Sequence, residues 1–324
     1  MRLTASEKQE IIWLVERSDL GVNRTLAQIG INKSTFYNWY KAYLDNGSGG
    51  LEPKHSTRQR WNAIPQEEKN LVVEISLEYT ELSPRELSCK LSDTKGIFIS
   101  ESSVYRILRA RGLITTPSHI LLAAGNEFSQ KTCFVHEMWQ TDFTYFKILG
   151  WGWYYLSTVL DDHSRYIVHW ELCKTMKTED VQRTITRALE AAALPKEFRP
   201  KLLSDNGACY IAAELKEFLK DKKMKSIHGK PNHPQTQGKI ERYHRSMKNV
   251  VKLDNYYCPD ELIAALTAFV HYYNHERYHE SLGNVTPADV YYGRQDEIFK
   301  YRERIKSMSL KRRRQEFFKQ KIAS

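Results

Sequence analysis

The stretch that decides the fold is WQTDFTYFKI at residues 139–148, where aromatic and β-branched residues predict a β-strand. It contains one carboxylate, Asp142. A strand interior is a costly place for an acidic side chain unless something compensates its charge. The stretch therefore predicts both a strand and a chemically active position on it.

Two further strand-like runs follow, at residues 153–160 and 166–173, each preceded by a turn. Beyond them the chain alternates: helices are predicted at 178–193, 214–219, 237–251 and 259–273, and short strands at 201–204 and 224–227. The order β-β-β-α-β-α-β-α-α predicts an α/β domain with a mixed sheet and helices on both faces.

Upstream, residues 5–46 predict three helices, with Gly30-Ile31-Asn32 as the tight turn before the third. Such a pair of helices joined by a glycine-containing turn is typical of the helix-turn-helix, whose second helix lies in the DNA major groove. Phe36 and either Trp39 or Tyr40 are expected to be buried. The side chains expected to face DNA are Ser34, Thr35, Asn38 and Lys41.

A second three-helix pattern spans residues 65–112, with Ser83-Pro84 as an N-cap and first helical residue and with Ser100 capping the third helix. Ser102, Ser103 and Arg106 would face DNA from that helix. For both patterns, a helical bundle without DNA contact is the alternative.

These patterns divide the chain into six segments. We predict helix-turn-helix units at 1–48 and 63–115, linkers at 49–62 and 116–134, the α/β domain at 135–295 and a basic tail at 296–324 that is helical or loosely ordered.

The charge of the chain indicates the class of partner, and its cysteines indicate the redox compartment. The net charge is +10, and residues 294–324 hold eleven basic and four acidic residues, which indicates a polyanion such as nucleic acid as partner. A solvated basic surface without a partner is the alternative. The five cysteines are scattered, which favours a reducing compartment over a disulfide framework. We find no apolar run of membrane-spanning length, no signal peptide and no nucleotide-binding motif. We therefore expect a cytoplasmic, nucleoid-associated protein without a nucleotide cofactor.

Three acids are candidates for chemistry: Asp142 in the first strand, Asp205 at the end of the fourth, and Glu241 in the first turns of the 237–251 helix. If the three converged, they would repel one another unless a divalent cation neutralised them, and carboxylates suit Mg²⁺ or Mn²⁺. The spacing alone has little weight, since an Asp followed 36 positions later by a Glu is expected roughly once by chance in this composition.

The residues around the acids make the pattern specific. Residues 139–142, 204–207 and 234–242 resemble the catalytic core of insertion-sequence transposases in the retroviral-integrase superfamily, with thirty-five residues between Asp205 and Glu241. Residues 273–279 and Thr286-Pro287 resemble that family's closing segment. The resemblance covers about residues 135–295 and implies a ribonuclease-H-like fold and a metal-dependent polynucleotidyl transferase.

The resemblance also implies a mechanism. Two Mg²⁺ or Mn²⁺ ions would be held by Asp142, Asp205 and Glu241, with Asp142 bridging them. Water would free a 3′-hydroxyl at a transposon end, and that hydroxyl would attack target DNA. The partners implied are double-stranded terminal inverted repeats and target DNA, bound by a homo-oligomer, with Lys239, Arg245 and Lys248 against the DNA.

Two other interpretations remain open at this point. His275-Glu276-Arg277-Tyr278-His279 matches the H-E-x-x-H pattern of zinc proteases, although the segment is polar and its helix is expected to end there. The second is a non-catalytic DNA-binding regulator derived from a transposase, which would use the same helix-turn-helix units.

Overall fold

The computed structural model describes residues 3–52, 60–114, 132–195, 197–228, 237–252 and 254–323. Most of the two predicted linkers, and residues 234–236 of the motif before Glu241, lie outside these ranges. The contacts within the chain divide it into two compact units, Met1–Ala63 and Ile64–Ser324.

The first unit contains the three predicted helices, α1 (Ala5–Arg17), α2 (Val22–Gln28) and α3 (Lys33–Asn46), and a 3-10 helix at Gly47–Leu51. Thr4 and Glu7 close a capping box on α1, and the Asn32 side chain caps α3. Gly30 takes a positive φ of 68° in the turn before α3, where a residue with a Cβ would be strained. The core consists of five buried side chains, Ile12, Val15, Leu26, Phe36 and Leu51.

The second unit begins with α4 (Gln66–Glu78), α5 (Pro84–Lys95) and α6 (Glu101–Ala110). Ser83 and Glu86 form a capping box on α5. Ser100 occupies the N-cap position of α6, but its hydroxyl lies 3.0 Å from Ser103 Oγ and makes no capping bond to the backbone, so the predicted cap is wrong in this detail. These helices bury Val72, Ile75, Leu87, Leu91, Ile99, Val104 and Leu108.

A five-stranded mixed sheet follows, as predicted. Its strands are β1 (Met138–Ile148), β2 (Gly152–Asp161), β3 (Ile167–Cys173), β4 (Lys201–Ser204) and β5 (Ser226–His228), in the spatial order β3-β2-β1-β4-β5. The first three form an antiparallel meander, and β4 and β5 run parallel to β1. The last strand begins two residues later than predicted, because the backbone N–H of Met224 donates to the carbonyl oxygen of Leu219 at 2.8 Å and not to a neighbouring strand.

Helices cover both faces of this sheet. They are α7 (Thr178–Ala192), α8 (Ala208–Ile211), α9 (Ala213–Asp221), α10 (Gly238–Val251), α11 (Pro259–His275) and α12 (Pro287–Tyr291). One core cluster joins β1–β3 to α10 and α11 through side chains such as Leu156, Tyr243 and Leu266. The other joins the opposite face to α7 and α9 through Trp139, Ile185 and Leu215.

The basic tail forms one long helix, α13 (Gln295–Ala323), rather than a loosely ordered segment. It packs against the α4–α6 region within the same unit. Arg312 and Arg313 pair with the buried Glu68, and Arg302 pairs with Asp93. Arg313 also donates to the carbonyl oxygen of Phe98 at 2.7 Å.

Throughout the described ranges, every helix is too short or too polar to cross a lipid bilayer.

Candidate active site

Two of the three predicted acids lie on neighbouring strands, Asp142 within β1 and Asp205 directly after β4. In the parallel pair β1–β4, Gln140 lies opposite Leu203, and Asp142 and Asp205 each stand two residues further along. Neighbouring strands are about 4.8 Å apart, so the two aspartates lie side by side where β4 ends beside β1. Burial first, and then the charges of Asp205 and Asp142, raise the pKa of the Cys209 thiol. One side chain therefore experiences both aspartates, and the thiol stays protonated, which disfavours a nucleophilic cysteine.

The loop after β4 fixes the Asp205 side chain. Its Oδ1 accepts a hydrogen bond from the Gly207 backbone N–H at 2.9 Å. A Cβ on Gly207 would stand 2.9 Å from the same oxygen, so glycine leaves room for this carboxylate. Asp205 itself is exposed.

The third acid, Glu241, lies in the first turn of α10, and two glutamines fix where that helix begins. Gln140 Oε1 accepts a hydrogen bond from Ile240 N–H at 3.1 Å. Gln237 donates from Nε2 to the carbonyl oxygens of Thr141 at 3.3 Å and Leu203 at 3.4 Å, and so bridges β1 and β4. The start of α10 is thus held against both strands that carry the aspartates.

The nearest partner of Asp142 on α10 is a histidine. Nδ1 of the buried His244 lies 3.4 Å from Asp142 Oδ2, and Glu241 is exposed one turn earlier. Among the described residues, no group of three or more His, Cys, Asp or Glu side chains is close enough to hold a metal ion. The assignment of all three acids as joint metal ligands therefore stays a prediction, although the oxygen donors of the two aspartates are of the type that Mg²⁺ prefers.

Lys239, predicted to contact DNA, has a partner inside the protein. Its ammonium group donates to Asp162 Oδ2 at 2.6 Å and to the Asp162 carbonyl oxygen at 2.9 Å. The other oxygen of that carboxylate accepts from Gln140 Nε2 at 2.7 Å. Asp161 caps the following turn, where its Oδ1 accepts from both the backbone and the hydroxyl of Ser164. Asp161 and Asp162 therefore have structural roles.

The other residues predicted to contact DNA differ in exposure. Arg245 is exposed on α10, whereas Lys248 is half-buried, with its ammonium 4.9 Å from the centre of the Tyr145 ring. Burial first, and then the charge of Lys252, lower the pKa of Lys248. The remaining residues lie on α3 and α6, where all are exposed except the half-buried Ser103: Ser34, Thr35, Asn38, Lys41, Ser102, Ser103 and Arg106. Their contact with DNA stays a prediction.

The zinc-protease pattern is not supported by the backbone. Helix α11 ends at His275, and His279 is extended, with its N–H bonded to the carbonyl oxygen of Val285 at 3.1 Å. Two histidines must share one helix face for that motif to bind zinc. The metalloprotease interpretation is therefore wrong.

Sequence reasoning missed the residues that position the acids. Gln140, Gln237 and His244 each contact a strand or an acid of the site. Gln140 and Gln237 lie within the motifs at 139–142 and 234–242, which could have pointed to them. His244 lies outside these motifs, and its contact depends on how α10 packs on the sheet.

Comparison with known proteins agrees with this architecture. Residues 135–234 and 222–287 match integrase core domain families, and residues 35–108 match a homeodomain-like domain. The Gag-Pro-Pol polyprotein of Mason-Pfizer monkey virus is 30% identical over 123 residues, which are 37% of this chain and 6% of that protein. The Gag-Pro-Pol polyprotein of mouse mammary tumor virus (strain BR6) is 27% identical over 132 residues, 39% of this chain and 7% of that protein. The chain thus spans less than a tenth of the length of these curated relatives.

Among solved structures, the simian T-cell lymphotropic virus intasome in complex with PP2A regulatory subunit B56 gamma matches with 17% identity and a TM-score of 0.45, over 68% of this chain and 74% of that one. The HTLV-2 integrase catalytic core domain in complex with magnesium matches with 20% identity and a TM-score of 0.39, over 49% of this chain and 97% of that one. From the family matches and the sheet topology, the chain carries an integrase core domain of ribonuclease-H-like fold, preceded by a homeodomain-like helix-turn-helix region.

Proposed function

We propose that this protein is a DNA transposase of the insertion-sequence type, which cleaves the ends of a mobile element and joins the freed 3′-hydroxyls to target DNA. The observation that carries the proposal is the β1–β4 register, which brings Asp142 and Asp205 side by side where β4 ends, near the start of α10. The integrase core match over the same residues supports it.

In the proposed reaction, water attacks phosphorus at the element's end, the bond from phosphorus to the 3′ oxygen breaks, and one water proton passes to the leaving oxygen. The free 3′-hydroxyl then attacks a target phosphodiester and releases a target 3′-hydroxyl. Two divalent cations held by Asp142, Asp205 and Glu241 would stabilise charge on the attacking and leaving oxygens.

The chain's own residues orient these groups. His244 and the β1 backbone hold Asp142, the Gly207 N–H holds Asp205, and Gln140 and Gln237 hold the helix that carries Glu241. Preorganised ligands of this kind spare the reaction the cost of reordering them. We further propose that the α3 and α6 surfaces bind the terminal inverted repeats and that the protein acts as a homo-oligomer on DNA.

The test is nicking of a duplex that carries the DNA flanking the gene, with Mg²⁺ or Mn²⁺ and with EDTA. We expect cleavage that requires the metal and that Asp142→Asn, Asp205→Asn and Glu241→Gln each abolish. The exposed Glu217→Gln on α9 is the matched control and should cleave normally. Cleavage in EDTA, or full activity in the three variants, would contradict the proposal.

A non-catalytic regulator is the second candidate, and one observation favours it: Asp142 faces His244, and no three-ligand group is present among the described residues. Under this alternative, the protein binds the flanking DNA tightly and leaves it intact in every divalent metal. The same nicking assay therefore decides between the two.

A further inference from the structure

A cavity of about 210 Å³ lies beside α10. With 3.6 residues per turn, Arg245 lies about 40° from Glu241 around the helix, whereas Arg242, Ser246 and Lys239 lie about 100–160° from it, so the cavity faces a different side of α10 from Glu241. Five cationic side chains line the cavity, and no carboxylate is among its described lining residues: Arg165, Lys239, Arg242, Arg245 and Arg277.

Two of these guanidinium groups have no acidic partner. Arg245 and Arg277 form no ion pair with any residue that the structure describes. Arg277 lies 5.8 Å from the centre of the Tyr273 ring, which orients it without neutralising it. Lys239, by contrast, is paired with Asp162. The cavity therefore keeps a positive charge that its own walls do not balance.

His279 also lines the cavity, and the positive charge there contributes to lowering its pKa. Burial first, and then the neighbouring charges of Arg277 and Arg165, lower the pKa of His279 to about 3. The ring is neutral at physiological pH, and its buried Nε2 has no hydrogen-bond partner among the described residues. A neutral imidazole can donate this hydrogen to an anionic oxygen.

Arg165 occupies a strained backbone position at the cavity. It has a φ of 66° in the turn between β2 and β3, a backbone region that suits glycine and strains a bulky residue. Strained residues tend to persist where function requires them. In this turn the strain is accompanied by a guanidinium group at the cavity wall.

We propose that this cavity binds a backbone phosphate of DNA beside the strand that reacts at the aspartates. Guanidinium groups donate paired hydrogen bonds to phosphate oxygens, and several converging arginines are typical of phosphate recognition. The assignment to DNA rests on the proposed function, because α10 carries Glu241 and also three of the cationic side chains of the cavity, Lys239, Arg242 and Arg245. A free phosphate ion would use the same donors, so the experiment distinguishes the two.

The experiment measures binding of the full chain to a short fluorescent duplex at several salt concentrations. We expect Arg277→Gln and Arg245→Gln each to weaken binding and to reduce the slope of log K against log[salt] by about 1, the loss of one phosphate contact. Arg187→Gln is the matched control, since it removes an exposed arginine of α7 that pairs with Glu171 of β3. If the cavity variants bind with the affinity and slope of this control, the proposal is wrong.

Substitutions at Arg165 separate binding from folding. Arg165→Gly removes the charge and relieves the backbone strain, so it should weaken DNA binding without lowering the melting temperature. Arg165→Lys keeps the charge and should bind more tightly than the glycine variant. Equal DNA affinity for the two variants would overturn a role for this charge.

Experiments with inorganic phosphate distinguish a DNA phosphate from a free phosphate ion as the ligand of the cavity. At constant ionic strength, we expect it to compete with DNA for the wild type and to raise its melting temperature more than that of Arg277→Gln. Stabilisation by phosphate with unchanged DNA affinity in Arg277→Gln would mean a small-anion site and would overturn the assignment to DNA. Nicking of DNA by Asp142→Asn at the wild-type rate would overturn the proposed function, whereas the loss of DNA affinity in Arg277→Gln would still support the cavity proposal.

Discussion

The two three-helix regions have similar sequence patterns but are held together differently. The first closes on itself through Phe36 and Leu51, residues near one another in the chain. The second, α4–α6, is also bonded to residues about two hundred positions away. Glu68 pairs with Arg312 and Arg313, and Asp93 pairs with Arg302 and accepts a hydrogen bond from Tyr278.

The difference shows that local pattern and long-range attachment are separate properties. A buried ion pair adds little net stability, but it penalises every arrangement in which one partner is left alone. We infer that α13 fixes the orientation of the α4–α6 helices within the unit that holds the integrase core domain.

The largest expected effect comes from breaking that attachment. Glu68→Gln leaves the buried Arg313 without its carboxylate and should lower the free energy of unfolding of the 64–324 unit by about 3–5 kcal/mol. Urea unfolding measures it, with the exposed Glu67→Gln in the same turn as the control. A loss equal to that of the control would mean that the attachment does not stabilise the unit.

The corresponding weak point of the first unit is a glycine. A Cβ on Gly50 would stand 2.0 Å from the carbonyl oxygen of Ala42, so Gly50→Ala must displace the backbone that joins α3 to the 3-10 helix. We expect a loss of about 1–3 kcal/mol, confined to this unit. Gly49→Ala meets nothing within 4 Å and is the control in a thermal melt. Identical melting temperatures would refute the expected clash.

A smaller effect is expected at the second attachment point. Asp93→Asn removes the charge that Arg302 and Tyr278 share, and because the carboxylate is partly exposed, we expect a loss of about 1–2 kcal/mol. Hydrogen exchange should show faster opening of α5 with α1–α3 unchanged. Slower exchange, or a change in the first unit alone, would be inconsistent with the contact.

The smallest effect should be the same in both regions. Thr4→Ala and Ser83→Ala each remove a capping box at the start of a helix, at about 1 kcal/mol each. Calorimetry of the two variants measures the losses. If one cap proved several times more costly than the other, long-range packing would be affecting even this local interaction.

The sequence predicted the strands, most helices and the mixed sheet because turn residues and hydrophobic periodicity are local properties. The three acids stay a prediction from the motifs around them, with Asp142 in β1, Asp205 after β4 and Glu241 in the first turn of α10. The sequence could not predict that His244 lies against Asp142, since this depends on the rotation of α10 on the sheet. The pairing of Glu68 with Arg313 joins residues 245 positions apart and left no local signal.

The tryptophans have a practical consequence for all of these measurements. Trp139 is fully buried in the sheet layer, whereas Trp13 and Trp61 in the first unit are already exposed to solvent. Indole emission moves to longer wavelength when water reaches the ring. Opening of the 64–324 unit therefore shifts the emission of Trp139. Opening of the first unit gives a smaller shift, from the half-buried Trp39, because Trp13 and Trp61 are already exposed. The intrinsic emission thus reports mainly on the larger unit, without any added label.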